Sequence, residues 1–169
     1  MRRQVRPFLD KVMPEAWQAA LTFSQEIRGA ALGRGLSVQE IELIKVRASQ
    51  LNGCAFCLDL HSRQARRAGV PQQKLDLLPA WRESAVYTDR EDAVLAVAEA
   101  GTLLPVTEDG HADLEAARAI LGEDGFGAAE WVTVAINAFN RVSVLSRHPV
   151  RPRHHPGTTE NTPSQEGRP

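Results

Sequence analysis

A chain of 169 residues and 18.6 kDa fits one domain with room for a buried core. Its 20 Lys and Arg against 21 Asp and Glu leave a formal net charge of -1, which gives no electrostatic basis for binding nucleic acid or an acidic membrane surface. No apolar run approaches the roughly 20 residues of a membrane span, and the basic N-terminus meets Pro7, Asp10, Lys11, Pro14 and Glu15 rather than the apolar core of a secretory signal.

The periodicity is helical nearly throughout, without a run of period-two alternation, so the expected class is all-α. Pro14 opens a first helix whose apolar positions Trp17, Ala20, Leu21, Ile27 and Ala31 fall near helical spacing, and Gly33-Arg34-Gly35 breaks it. Ser37 and Glu40 form a capping box for a second helix running to about Gln50, and Asn52-Gly53 stops it. A third helix begins at or just after Cys54 and ends at Gly69, and Pro71 starts a short fourth. Thr88 and Glu91 form a second capping box ahead of Asp92–Ala100, a helix with small apolar residues on nearly all sides. Such a helix is expected to be enclosed by neighbours, another subunit among them. Helices over about Ala112–Leu121 and Ala128–Leu145 complete a domain of residues 1–147. Residues 148–169, rich in Pro, His, Arg, Ser, Thr and Gly, read as a disordered tail that activity and assembly can spare. Within it, His154-His155 offers adventitious metal ligands at most.

Cys54 and Cys57 are the only cysteines, three residues apart, with His61 one turn further along the same helical stripe. Thiols so close can form a disulfide without large backbone movement, and an imidazole beside them is a proton acceptor with an ordinary pKa of about 6.5. A cysteine at a helix start is favoured as thiolate by the macrodipole and the unpaired N–H groups, which points to Cys54 as the more activated sulfur. A thiolate attacks a peroxide or disulfide, and the second thiol resolves the product. Three other readings compete. The cysteines can be small core hydrophobes; with His61 and a carboxylate they can hold zinc, although no second cluster accompanies them; a thioredoxin-like motif would follow a strand, and here a helix precedes it. The absence of a secretory signal points to the cytoplasm, where a CxxC pair is more often catalytic or metal-binding than structural.

Glu42 lies twelve residues before Cys54 on the second helix, which the Asn52-Gly53 stop can fold back against the third. A carboxylate there can orient His61 and set its basicity. From spacing alone the simpler partner is Lys45 at i+3.

Glu42 followed by Cys54-Ala55-Phe56-Cys57 and His61 resembles the Glu…Cys-x-x-Cys-x-x-x-His signature of the AhpD-like alkylhydroperoxidases in the carboxymuconolactone decarboxylase family. The runs Ile44–Gly53, His61-Ser62-Arg63, Ala68-Gly69, Leu78–Arg82, Tyr87–Glu91 and Ala135–Arg141 extend the similarity over about residues 14–147. The resemblance implies an all-helical, trimeric or hexameric homo-oligomer. It also implies a cysteine-based peroxidase or disulfide reductase without an organic cofactor or metal, served by a thiol reductant or a peroxiredoxin partner. It makes Cys57 the attacking sulfur, Cys54 the resolving and partner-facing one, and Glu42 with His61 the proton relay. In this it departs from the helix-start argument, which favours Cys54. Phe56 stands where peroxidase members carry a second histidine, which shortens the relay to Glu42 and His61 and favours dithiol–disulfide exchange over fast peroxide turnover. The cysteine pair argues against lactone decarboxylation. From another class, a redox-sensing or metal-binding oligomeric module without turnover is the alternative. Trp81 and Arg82 read as a core anchor beside a solvated arginine. Asn137 and Asn140, polar on an apolar helix face, read as ties between helices or subunits.

Overall fold

The computed structural model describes residues 6–153, and no strand occurs among them. A four-residue α1 (Leu9–Val12) precedes α2 (Pro14–Gly33), α3 (Val38–Leu51), α4 (Ala55–Arg67) and α5 (Gln72–Leu77). A 3-10 turn over Leu78–Glu83 leads to α6 (Asp89–Ala100), and α7 (Glu108–Ser146) is the last helix among the described residues. The all-α expectation holds, and no described helix is long and apolar enough to cross a membrane.

Both expected capping boxes form. The Glu40 N–H donates to Ser37 Oγ at 3.1 Å and the Ser37 N–H donates back to Glu40 Oε2 at 2.7 Å. Thr88 and Glu91 repeat the pattern, the Glu91 N–H donating to Thr88 Oγ1 at 3.2 Å and the Thr88 N–H to Glu91 Oε2 at 2.8 Å. Each box glutamate also binds a cation from another element, Glu40 taking Arg90 and Glu91 taking Lys74, so the caps fix helix positions as well as helix starts.

Helix α3 is the spine. Ile41 and Ile44 join a core cluster with Val94, Val97, Ala129 and Val132, whereas Leu43 and Val46 join another with Leu78, Trp81 and Leu95. With apolar residues spread around its circumference, α3 is covered on both sides, and Glu42 is carried into the interior with them. Helix α6 is likewise enclosed, but by α3 and α7 of its own chain, so its apolar character requires no second subunit. That removes the basis on which Val94–Ala100 pointed to an oligomer.

The sequence reading splits the last two helices at about Leu121 and Ala128; the break falls instead at Gly122 alone, with φ 72° and ψ 169°, so helix resumes at Glu123. Gly125 and Gly127 look like loop residues in the sequence, yet Gly125 is buried and the segment is held helical by packing. The first half also begins earlier than expected, at Glu108, because the Thr107 side chain caps it by accepting from the Gly110 N–H at 3.1 Å. The described residues 148–153 run without helix or strand past the end of α7, and the rest of the expected tail, His154-His155 included, lies outside the described residues.

Candidate active site

The corner between α3 and α4 sets the cysteines. Asn52 caps α3 and Gly53 follows with φ 63°, a left-handed conformation that a side chain would strain. Asn52 Nδ2 donates to Asn137 Oδ1 and Asn140 Oδ1, both at 2.9 Å. Asn140 Nδ2 in turn donates to Ser49 Oγ at 3.0 Å, and Asn137 Nδ2 to Thr102 Oγ1 at 2.9 Å. These buried amides therefore tie helices of one chain together, and they clamp the corner that carries Cys54 onto α7.

Cys54 is the N-cap of α4 rather than its first residue: its Sγ accepts from the Cys57 N–H at 3.3 Å. The two cysteines are joined by a disulfide with a Cα–Cα separation of 5.3 Å. Both cysteines are buried, Cys54 1% and Cys57 3% exposed, so Cys54 does not present the open, partner-facing surface the resemblance implies.

Glu42 reaches the same place from α3. Its Oε2 lies 3.0 Å from His61 Nδ1 on α4, and its Oε1 accepts from Lys45 Nζ at 2.9 Å. The two candidate partners weighed for Glu42 are both engaged, one per carboxylate oxygen. Burial works to raise the Glu42 pKa, but the hydrogen bond from His61, the charges of Lys45 and His61 and the Lys45 hydrogen bond outweigh it and hold it below the ordinary glutamate value. An unpaired buried carboxylate would cost several kcal/mol, so the pair of partners is what lets an ionised group stand here. With Glu42 accepting from Nδ1–H, the remaining His61 nitrogen, Nε2, carries the lone pair that can take a proton.

A cavity of about 900 Å³ opens beside this group. Cys57, His61 and Lys45 line it together with the rings of Phe8, Trp17 and Phe139; Cys54 does not. The sequence reading missed the other wall, which comes from the two ends of the chain. Asp10 on α1, Ser143 on α7 and residues 148–153 all face the cavity. Leu9 N–H donates to Ser146 Oγ at 3.0 Å, which pins α1 to the end of α7. Nothing periodic marks these residues in the sequence: α1 is a single turn between two prolines, and His148 follows the helix into a proline- and arginine-rich stretch. Among the described residues no group of three or more His, Cys, Asp or Glu is arranged to hold a metal ion.

The family profile described as the carboxymuconolactone decarboxylase family matches residues 15–100, the stretch that contains Glu42, Cys54, Cys57 and His61. The uncharacterized protein YdfG of Bacillus subtilis is 31% identical over 134 residues, covering 79% of this chain and 88% of that protein. The chain belongs to the carboxymuconolactone decarboxylase family. Another relative, the uncharacterized protein YnjA of Escherichia coli, is 33% identical over 67 residues, 40% of this chain and 37% of its own. Among solved structures, a protein of unknown function from Agrobacterium tumefaciens, put forward as an antioxidant-defence protein AhpD, superposes with a TM-score of 0.76 at 35% identity. It covers 88% of this chain and 100% of its own. The family fold of this chain is thus the AhpD-like one.

Proposed function

We propose that the protein is a dithiol oxidoreductase of antioxidant defence that reduces hydroperoxides, with Cys57 as the attacking sulfur and Cys54 as the resolving one. The observation that carries this reading is the wall shared by Cys57 and His61, with His61 Nδ1 held 3.0 Å from the buried Glu42 carboxylate. An imidazole braced in this way takes the thiol proton through Nε2, and a small molecule reaches sulfur only at Cys57, because Cys54 does not line the cavity. The Cys57 N–H on Cys54 Sγ favours a thiolate at Cys54, which suits it to leave or re-enter a disulfide. A peroxide brings Cys57 to the sulfenic acid, Cys54 closes the disulfide with loss of water, and a dithiol or a protein thiol reopens it. No organic cofactor or metal is needed for these steps. A reducing compartment such as the cytoplasm suits the cycle.

The direct test is peroxide consumption with dithiothreitol as reductant, in wild type and in Cys54→Ser and Cys57→Ser. Sustained consumption lost in both variants is the expected result. A pair that oxidises once and does not turn over would leave the non-catalytic redox sensor as the function.

We further propose a homo-oligomer, trimeric or hexameric, built on an exposed face distinct from α6. Phe23 and Trp131 meet edge to face at 6.0 Å on that face, and Trp131 is 56% exposed, with Val134 one helical turn along α7 also open to solvent. Large apolar side chains left open in this way are unfavourable in water unless covered.

A further inference from the structure

The cavity beside Cys57 holds a second imidazole, braced by a second carboxylate. Beyond α7, Arg147 adopts a left-handed conformation (φ 52°) that turns the chain back, and the His148 N–H donates to the Ser143 carbonyl at 3.1 Å. The His148 ring is held from all sides. Nε2 lies 3.0 Å from Asp10 Oδ1, Nδ1 lies 3.3 Å from Ser143 Oγ, and the Phe8 and Phe56 rings stand 5.2 and 5.3 Å away. Phe56 directly precedes Cys57, and Asp10, Ser143, His148, Cys57 and His61 all line the one cavity. Lys11 at 3.1 Å keeps the other Asp10 oxygen paired. Phe8, Asp10 and Lys11 near one end and Ser143 and His148 near the other make this arrangement, and the Glu42–His61 pair makes no use of it.

Reduction of a hydroperoxide needs a base at sulfur and an acid at the leaving oxygen. The leaving group is an alkoxide or hydroxide, the conjugate base of a very weak acid, and it departs poorly unless protonated. Displacement at oxygen is in line, so the departing atom lies beyond the attacked oxygen, away from sulfur and further into the cavity. A donor in the far cavity wall is better placed for it than the base proposed to serve the thiol. Resting on the peroxide-reducing reading, we infer that Ser143 and His148, braced by Asp10, protonate the leaving oxygen.

His61 takes the Cys57 proton, and the thiolate attacks the terminal oxygen of ROOH. The S–O bond forms as the O–O bond breaks, sulfur giving up two electrons and the peroxide gaining them. The departing oxygen takes the Ser143 hydroxyl proton while the His148 imidazolium, its Nε2–H on Asp10, passes its Nδ1 proton to Ser143 Oγ, which leaves ROH, a Cys57 sulfenic acid and a neutral His148. The Cys54 thiol then attacks the sulfenic sulfur, the S–S bond forms and water leaves. Solvent returns one proton from His61 to His148, and a dithiol reductant reopens the disulfide.

The test compares leaving groups by rapid mixing of the reduced full chain. His148→Gln keeps amide contacts to Asp10 and Ser143 but cannot pass a proton, and Ser143→Ala removes the terminal donor. Each is reacted with hydrogen peroxide and an alkyl hydroperoxide, with peracetic acid, whose carboxylate leaves without help, and with iodoacetamide, whose iodide takes no proton. Both variants should slow the first two reactions on the order of a hundredfold and leave the peracid and iodoacetamide rates within about twofold of wild type. Equal rates in all four reactions, or a uniform loss in all four that marks a merely structural role, would overturn the inference while the proposed function stands. A wild type inert to both hydroperoxides overturns the proposed function and this inference together.

Discussion

His61 Nδ1 and Glu42 Oε2 stand 3.0 Å apart although nineteen residues and a helical corner separate them in the chain. Only a fold that sets α4 back along α3 makes this contact, and once made it determines which imidazole nitrogen is left to act as base. Glu42→Gln and His61→Ala should each slow Cys57 alkylation on the order of a hundredfold at neutral pH. The double variant should lose little more than either single one, because the two groups serve one proton transfer. Alkylation rates against pH for the four proteins check this; full additivity, or wild-type titration in both single variants, would reduce Glu42 to a structural carboxylate.

Glu42 also ties stability to acid. Its pKa is lowered in the fold, so its contribution is present above the unfolded value of 4.5 and is lost as the pH falls through the folded value. Thermal unfolding from pH 7 down to pH 3 should show wild type losing stability more steeply below about pH 4.5 than Glu42→Gln, which has no such proton to gain.

Asp92 on α6 carries the opposite sign. Burial first, then the neighbouring Asp89 and Glu91 charges, raise its pKa above 3.8, and its Oδ1 is buried without a hydrogen-bond partner. A carboxyl raised in the fold is most favourable to stability when protonated, and that contribution is lost as pH rises through the folded value. Asp92→Asn should therefore raise Tm at pH 7 by on the order of 2–4 °C, about 1 kcal/mol for a chain of this size, with the gain shrinking below pH 3.8. Calorimetry at the two pH values measures it.

Residues 148–153 line the cavity, and Arg153 pairs with Asp59 of α4. Ending the chain after Arg147 should therefore raise the peroxide KM and lower kcat, whereas ending it after Arg153 should leave both within about twofold of wild type. Steady-state kinetics of the two truncations decides between a working segment and a dispensable one.

Trp131 is the centre of the proposed subunit contact. Trp131→Glu should lower the mass measured by light scattering at micromolar concentration and leave helical circular dichroism unchanged. A monomeric wild type would end the proposal outright.

Where local chemistry decides, the sequence was readable. Ser37 with Glu40 and Thr88 with Glu91 sit three residues apart, so their caps follow from short-range hydrogen bonding alone. Cys54, Cys57 and His61 were legible for the same reason. Glu42 was harder, since the fold-back at Asn52-Gly53 allowed His61 while spacing favoured Lys45 until the resemblance reversed the preference; a carboxylate has two oxygens, and it uses both. Two things were not legible. Which neighbour covers α6 depends on tertiary packing, and an apolar helix looks the same whether its own chain or another covers it. Asp10 and His148 lie 138 residues apart, and no periodicity links the two ends of a chain.

Phe8 and Asp10 precede the stretch that defines the family, and Phe139, Ser143 and His148 follow it. On the proposed function, both redox sulfurs lie within residues 15–100, while about half of the chamber beside Cys57 is furnished by segments outside that stretch. Relatives with the same cysteines can admit different substrates by changing only their ends, and grafting residues 6–13 and 139–153 from one relative to another is a way to retarget the reaction without touching the redox pair.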